Sequence, residues 1–218
     1  KDHPGMNIAN LAFRRAALET EFGGDARLFT SKYPSGPYDG WLGAEAPIMP
    51  NDVLKPWLDH AIADPPAGLN GCHELEPPTK GSAYLITADP AGFGASGDKS
   101  ALTVWDAIER KEIAFWEDRE SPDRFARRLL QVQKRYNMAL LAVESNAAAC
   151  IAVLKDMSCR NLLWTDRNHP GWYATDKRVQ EAEARLVKML TDDDIRIYSR
   201  GMLHQLMNYD GTRKKRVK

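Results

Sequence analysis

The chain has 218 residues, 43% of them hydrophobic and 28% charged, which suits one substantial soluble core and excludes a disordered tail. Thirty Lys and Arg offset thirty Asp and Glu, so the zero formal charge excludes the global cationic field of a histone-like DNA binder and leaves only local patches. Three cysteines, Cys72, Cys150 and Cys159, without C-x-x-C spacing argue against a disulfide framework or a zinc site.

No segment approaches the roughly 20 apolar residues that cross a bilayer, and the opening K-D-H-P-G-M-N lacks the apolar core of a signal peptide. A soluble protein of the reducing cytosol, with no membrane partner, is expected. In chain order, residues 1–80 form a loop-rich lead-in. Its helix runs from Ala9 to Phe22, with Leu11, Arg15, Leu18 and Phe22 near helical spacing, and stops at Gly23-Gly24. The proline- and glycine-rich runs Y-P-S-G-P-Y-D-G and A-D-P-P-A-G after it read as ordered loops or a linker arm.

From Ala83 the texture changes. A-Y-L-I-T-A, A-L-T-V-W-D and E-I-A-F-W-E are short apolar runs of strand character, close enough to form two hairpins. Ser121-Pro122-Asp123 then supplies a capping hydroxyl, a proline at the first helical position and an acid in the first turn. Phe125, Leu129, Val132 and Tyr136 repeat at helical spacing, so this helix packs on the sheet and ends near Asn137. A fourth strand, A-L-L-A-V, leads into Glu144, and Asn146 caps a short helix through Ile151 and Leu154 toward Met157. A brief strand N-L-L-W follows, then a Thr175-capped helix burying Val179, Leu186, Val187 and Leu190, a candidate strand I-R-I-Y and a last helix over Met202 to Met207. This order describes a mixed α/β sheet flanked by helices, unlike the strict alternation of a doubly wound fold.

Asp89 ends the first strand and Glu144 ends the fourth, so if these strands are neighbours the two carboxylates converge at one edge of the sheet. Such a pair suits Mg2+ or Mn2+, which prefer oxygen ligands. Two such ions roughly 4 Å apart can activate water and stabilise the leaving oxygen when a phosphodiester is cleaved. A lone Asp at a strand end is ordinarily a turn former. A Glu after A-L-L-A-V is more telling, because a simple turn there favours Asp, Asn or Gly.

The stretch L-I-T-A-D-P-A-G-F-G-A-S-G-D-K-S-A-L-T-V-W-D resembles the first acidic motif of large terminase nuclease domains, the cutting half of viral genome-packaging motors. Asp89 and Asp98 match that motif's two acids, and L-L-A-V-E-S-N resembles the second motif, matching Glu144 to its metal ligand. W-Y-A-T-D-K-R resembles the segment beyond it, and E-F-G-G-D-A-R-L-F-T-S-K-Y-P-S the connector to the motor's ATPase.

The resemblance implies a ribonuclease H-like mixed sheet over residues 81–218 behind a connector helix and loop-rich arm over residues 1–80. It implies an endonuclease that cuts concatemeric viral DNA in the host cytoplasm by two-metal hydrolysis. Asp89, Glu144 and Asp98 would be catalytic metal ligands, and the partners would be double-stranded DNA, the ATPase domain, the small terminase subunit and the portal protein. The family's third essential Asp has no match here and is expected beyond Lys218; Asp192-Asp193-Asp194 reads instead as a solvated turn.

Other readings fit less well. G-F-G-A-S-G, Gly92 to Gly97, matches a dinucleotide fingerprint, but the strand-like A-L-T-V-W-D follows it where a helix must open; Asp98 between Gly97 and Lys99 spoils a P-loop. An actin-like or sugar-kinase domain needs a second copy and a later phosphate loop. A Holliday-junction resolvase or transposase would use similar acids but lacks the connector, and a non-catalytic DNA-gripping module is a further alternative. DNA contact is assigned to the tail Arg213, Lys214, Lys215 and Arg216 and to Arg127 and Arg128 within a basic helix face that also holds Arg124, Lys134 and Arg135. Trp172 and Tyr173 are expected in the core rather than stacked on bases. His60, His73, His169 and His204 show no metal-ligand spacing and read as structural.

Overall fold

The structure is a computed structural model that describes residues 8–21, 23, 29, 33, 48–49, 51–62, 65–68, 71–91 and 99–209. The Gly92–Asp98 turn, most of the connector-like and proline-rich stretches and the tail from Asp210 lie outside the described residues.

The chain divides into two compact units, residues 1–55 with 201–218, and residues 56–200. In the first, α1 (Ile8–Thr20) matches the predicted helix and is followed by Gly23 at φ +57°. Ala17 is buried, whereas Phe13 is 53% exposed and meets Tyr33 edge-on at 5.4 Å.

A helix not expected from the sequence, α2 (Asn51–Asp59), contains Pro56. Proline removes an interior hydrogen bond and normally argues against a helix, but Leu54 and Leu58, one turn apart, are both buried. Their shared apolar stripe outweighs the lost bond.

The second unit is built on a five-stranded sheet ordered β1-β4-β3-β2-β5, where β1 is His73–Glu74, β2 Tyr84–Asp89, β3 Ser100–Asp106, β4 Lys111–Asp118 and β5 Leu140–Val143. β2, β3 and β4 pair antiparallel as the two predicted hairpins, and β5 joins β2 in parallel. β3 alternates buried and half-buried residues along its whole length, so only one face of the sheet is fully covered. That face carries Tyr84, Ile86, Ala88, Leu102, Val104, Trp116, Leu141 and Val143.

The cover is α3 (Pro122–Arg135) and α4 (Ala148–Asp156). As predicted, Ser121 caps α3, its hydroxyl accepting from the Arg124 amide, and Phe125, Leu129, Val132 and Tyr136 are all at most 1% exposed. The predicted Asn146 cap of α4 is incorrect: the cap position is Ala147, with no side-chain bond. The chain beyond Glu144 makes a turn first, which shifts the helix start by one residue.

β1, in the segment read as arm, pairs antiparallel with β4, His73 stacks on Phe115 at 4.8 Å, and ion pairs flank it. Arg135 on α3 grips Glu74 through two bonds of 2.8 and 2.7 Å, and Lys111 bonds Glu76 at 2.7 Å. Beyond α4, Leu162 of N-L-L-W bridges Leu141 in parallel, and Trp164 opens the hairpin of β6 (Trp164–Asp166) and β7 (His169–Pro170). Thr175 caps α5 (Asp176–Thr191) as predicted; Val179 and Leu190 are buried, Leu186 and Val187 half-buried.

I-R-I-Y is not a strand. Arg196 and Ser199 form isolated bridges with Lys111 and Ile62, and the segment is fastened by Glu112, fully buried, whose Oε2 accepts from the Tyr198 and Ser199 amides at 2.9 and 2.8 Å. A side-chain carboxylate thus replaces the strand ladder there. α6 (Arg200–Met207) follows and buries Leu203 and Met207.

Glu112→Ala would strand both amides in a buried site, so we expect a loss of about 2–4 kcal/mol in unfolding free energy, measured by urea denaturation.

Candidate active site

The register of the parallel pair decides where the two principal carboxylates lie. Ala88 aligns with Val143, and the Glu144 amide donates to the Ala88 carbonyl at 3.2 Å. Asp89 and Glu144 are therefore the next residues on adjacent strands, about 4.8 Å apart in the sheet direction. Because Ala88 and Val143 face the core, alternation turns Asp89 and Glu144 to the opposite face, away from α3 and α4. Asp89 is exposed and Glu144 half-buried.

The same face holds two residues that the sequence reading did not single out. Asp89 aligns with Ala101, and Ala101 with Glu117, so Glu117 lies two strands from Asp89 with only a methyl between them. Lys99 Nζ donates to Glu117 Oε1 at 2.7 Å, and this contact raises the Lys99 pKa. The available signal was the phase of F-W-E-D, in which Glu117 alternates with the buried Trp116. Asp98 lies outside the described residues.

Glu144 is anchored from its other side. The Trp172 amide donates to the Val143 carbonyl at 2.7 Å and the Ser145 amide donates to the Trp172 carbonyl at 2.9 Å, extending the ladder past the end of β5. This approach demands glycine at 171: φ is +83°, and a Cβ there would stand 2.3 Å from the Val143 oxygen. Trp172 is half-buried, whereas Tyr173 is 40% exposed and stacks on His169 at 4.3 Å, so the core expectation fails for Tyr173.

The remaining candidates lie elsewhere. Asp192-Asp193-Asp194 is an exposed turn in which Asp192 caps α5 and pairs with Lys188, and Asp193 takes φ +57°. Arg127 pairs with Asp123 on its own helix at 2.9 Å. Arg128 is bound by Glu120 at 2.7 Å and stacked over Trp116 at 4.3 Å, which gives its guanidinium a structural duty. Both stand on α3, across the sheet from Asp89. Arg213, Lys214, Lys215 and Arg216 lie outside the described residues.

His73 Nδ1 is engaged with the Pro65 carbonyl, and His169 with Asp166, whose pKa is lowered chiefly by the Asn168 amide and then by His169. Burial pushes the thiols of Cys72 and Cys150 up to about 11 and about 12, which removes them as nucleophiles at neutral pH. Among the described residues no group of three or more His, Cys, Asp or Glu side chains is gathered for a metal. Asp89 and Glu144 nonetheless have the right chemistry for a hard divalent ion: two carboxylates, adjacent, at an open end of the sheet.

Gly171→Ala should lower the unfolding free energy by about 2 kcal/mol or more and speed hydrogen exchange at the Ser145 amide more than in α3. Exchange that accelerates equally in both would mean that Gly171 has no local role at Glu144.

No protein-family model matches the chain, and no curated protein matches it in sequence. Solved structures do match it in fold. The large terminase nuclease of the thermophilic phage G20c superposes with a TM-score of 0.55 at 16% identity, covering 72% of this chain and 81% of that one. The same nuclease with bound magnesium gives 0.54 at 16%, covering 72% and 80%. The Thermus phage P74-26 large terminase nuclease domain gives 0.52 at 16%, covering 72% and 77%. The chain thus has the ribonuclease H-like fold of the large terminase nucleases.

Proposed function

We propose that the chain is the nuclease part of a large terminase subunit, an endodeoxyribonuclease that requires a divalent metal and cuts concatemeric viral DNA during genome packaging. The observation that carries this reading is the alignment of Asp89 and Glu144 on adjacent parallel strands.

Two carboxylates this close repel a phosphodiester as well as each other, so a substrate phosphate approaches only when their charge is neutralised. Asp89 and Glu144 would hold Mg2+ or Mn2+ through their oxygens, with Asp98 as a third ligand. A pair of ions bound there would supply the charge that activates water and stabilises the leaving oxygen. Lys99, on the same face, is paired with Glu117 at 2.7 Å and would meet a substrate phosphate only by leaving that partner. Carboxylate-held ions act on the phosphodiester backbone, so we expect low sequence preference.

The reading places the protein in the host cytoplasm, working with double-stranded DNA, the ATPase domain, the small terminase subunit and the portal. Among the described residues no helix is long and apolar enough to cross a membrane.

The test is plasmid nicking in Mn2+ and in Mg2+. Asp89→Ala and Glu144→Ala should each cut the rate by more than about a hundredfold, beyond the 10–100-fold that losing an outer-shell partner costs, and EDTA should abolish it. Variants that nick as fast as the parent would refute the site assignment.

A further inference from the structure

On the core side of the sheet, the C-terminal ends of α3 and α4 enclose an open groove of about 590 Å³. Arg127, Lys134 and Arg160 line it together with Met138 and Met157, and no carboxylate is among its lining residues. Asp123 engages Arg127. Among the described residues no ion pair engages Lys134 or Arg160. In a chain with no net charge this is a concentrated positive site.

The groove is also pre-formed. Gln133, buried in its floor, donates to the Ala139 carbonyl at 2.9 Å and the Asn161 carbonyl at 3.3 Å, and Asn161 Nδ2 donates to the Met138 carbonyl at 2.5 Å. Met138 and Ser158, from the two loops that bound the groove, sit at φ +59° and +55°. A left-handed backbone is costly for a residue as bulky as methionine. Here it holds Met138 38% exposed beside Met157, 41% exposed. Asn137, at φ +53°, shares this reversal at the end of α3, and Met138 together with Met157 leaves an apolar strip beside the groove cations.

We propose that this groove docks an acidic polypeptide segment bearing apolar side chains, contributed by a partner protein. Its carboxylates would meet Lys134 and Arg160, and its apolar side chains would lie on the pliable thioethers of Met138 and Met157. A nucleic-acid backbone would satisfy the cations but leave the methionines uncovered. The groove faces away from Asp89 and Glu144, so a docked partner leaves that face open. The proposal does not rest on the nuclease reading, and its test has no nuclease readout.

The probe is a synthetic amphipathic peptide of glutamate and leucine, titrated into protein carrying 13C-methyl methionine. The Met138 and Met157 methyl signals should shift saturably, and Lys134→Glu with Arg160→Glu should weaken binding by about tenfold or more. Met138→Gly should raise Tm by relieving the backbone while weakening the peptide. The proposal is overturned if the two methyl signals stay unmoved at millimolar peptide, or if a glutamine-for-glutamate peptide binds equally well. It is likewise overturned if duplex DNA moves those signals in preference to the peptide, or if Met138→Gly leaves affinity unchanged.

Discussion

The parallel pairing of β5 with β2 is the constraint on which the rest of the structure depends. β5 lies beyond β3 and β2 from β4, so the chain that leaves β4 cannot reach it by a tight turn and crosses the sheet through a helix. That helix is α3, whose buried stripe Phe125, Leu129, Val132 and Tyr136 seals one face of the sheet. Once α3 and α4 occupy that face, strand alternation leaves Asp89 and Glu144 on the other. The register then makes them neighbours: had β5 slipped by one residue, Glu144 would have turned into the core. Gly171 and Trp172 hold this end of the sheet in register from outside by continuing its ladder.

The zero net charge conceals a separation between the two faces. Asp89, Glu117 and Glu144 gather on one side with Lys99, while Arg127, Lys134 and Arg160 lie on the other. Arg128 and Arg135 stand on the same helix as Arg127 and Lys134 but are engaged by Glu120 and Glu74, so basic residues on one helix perform different work. A helical projection of the sequence cannot separate them, because their partners come from outside the helix.

What was legible in the sequence was whatever depends on local rules. The β2, β3 and β4 runs, the Ser121-Pro122-Asp123 start of α3 and the Thr175 cap of α5 follow from period and capping chemistry, and each is present. What was not legible depends on distant partners. β1 pairs with β4 and is flanked by the Glu74–Arg135 and Glu76–Lys111 ion pairs, and the segment ending at Ser199 is fastened by Glu112, which bonds its amides. α2 forms in spite of Pro56, since burial of Leu54 and Leu58 outweighs a local rule. At the site, Asp89 and Glu144 could be paired from strand ends alone. Glu117 needed the register of two hairpins, and the glycine at 171 needed the Val143 carbonyl in space.

Paramagnetic Mn2+ tests most directly whether adjacency on β2 and β5 makes one cation site. Titrated into 15N-labelled protein, it should broaden the amides of Ala88, Glu144 and Ser145 together at the lowest Mn2+ concentration, with calcium or magnesium competing it away. Broadening that begins at Asp192 to Asp194, or that reaches one of the two strands without the other, would contradict the account.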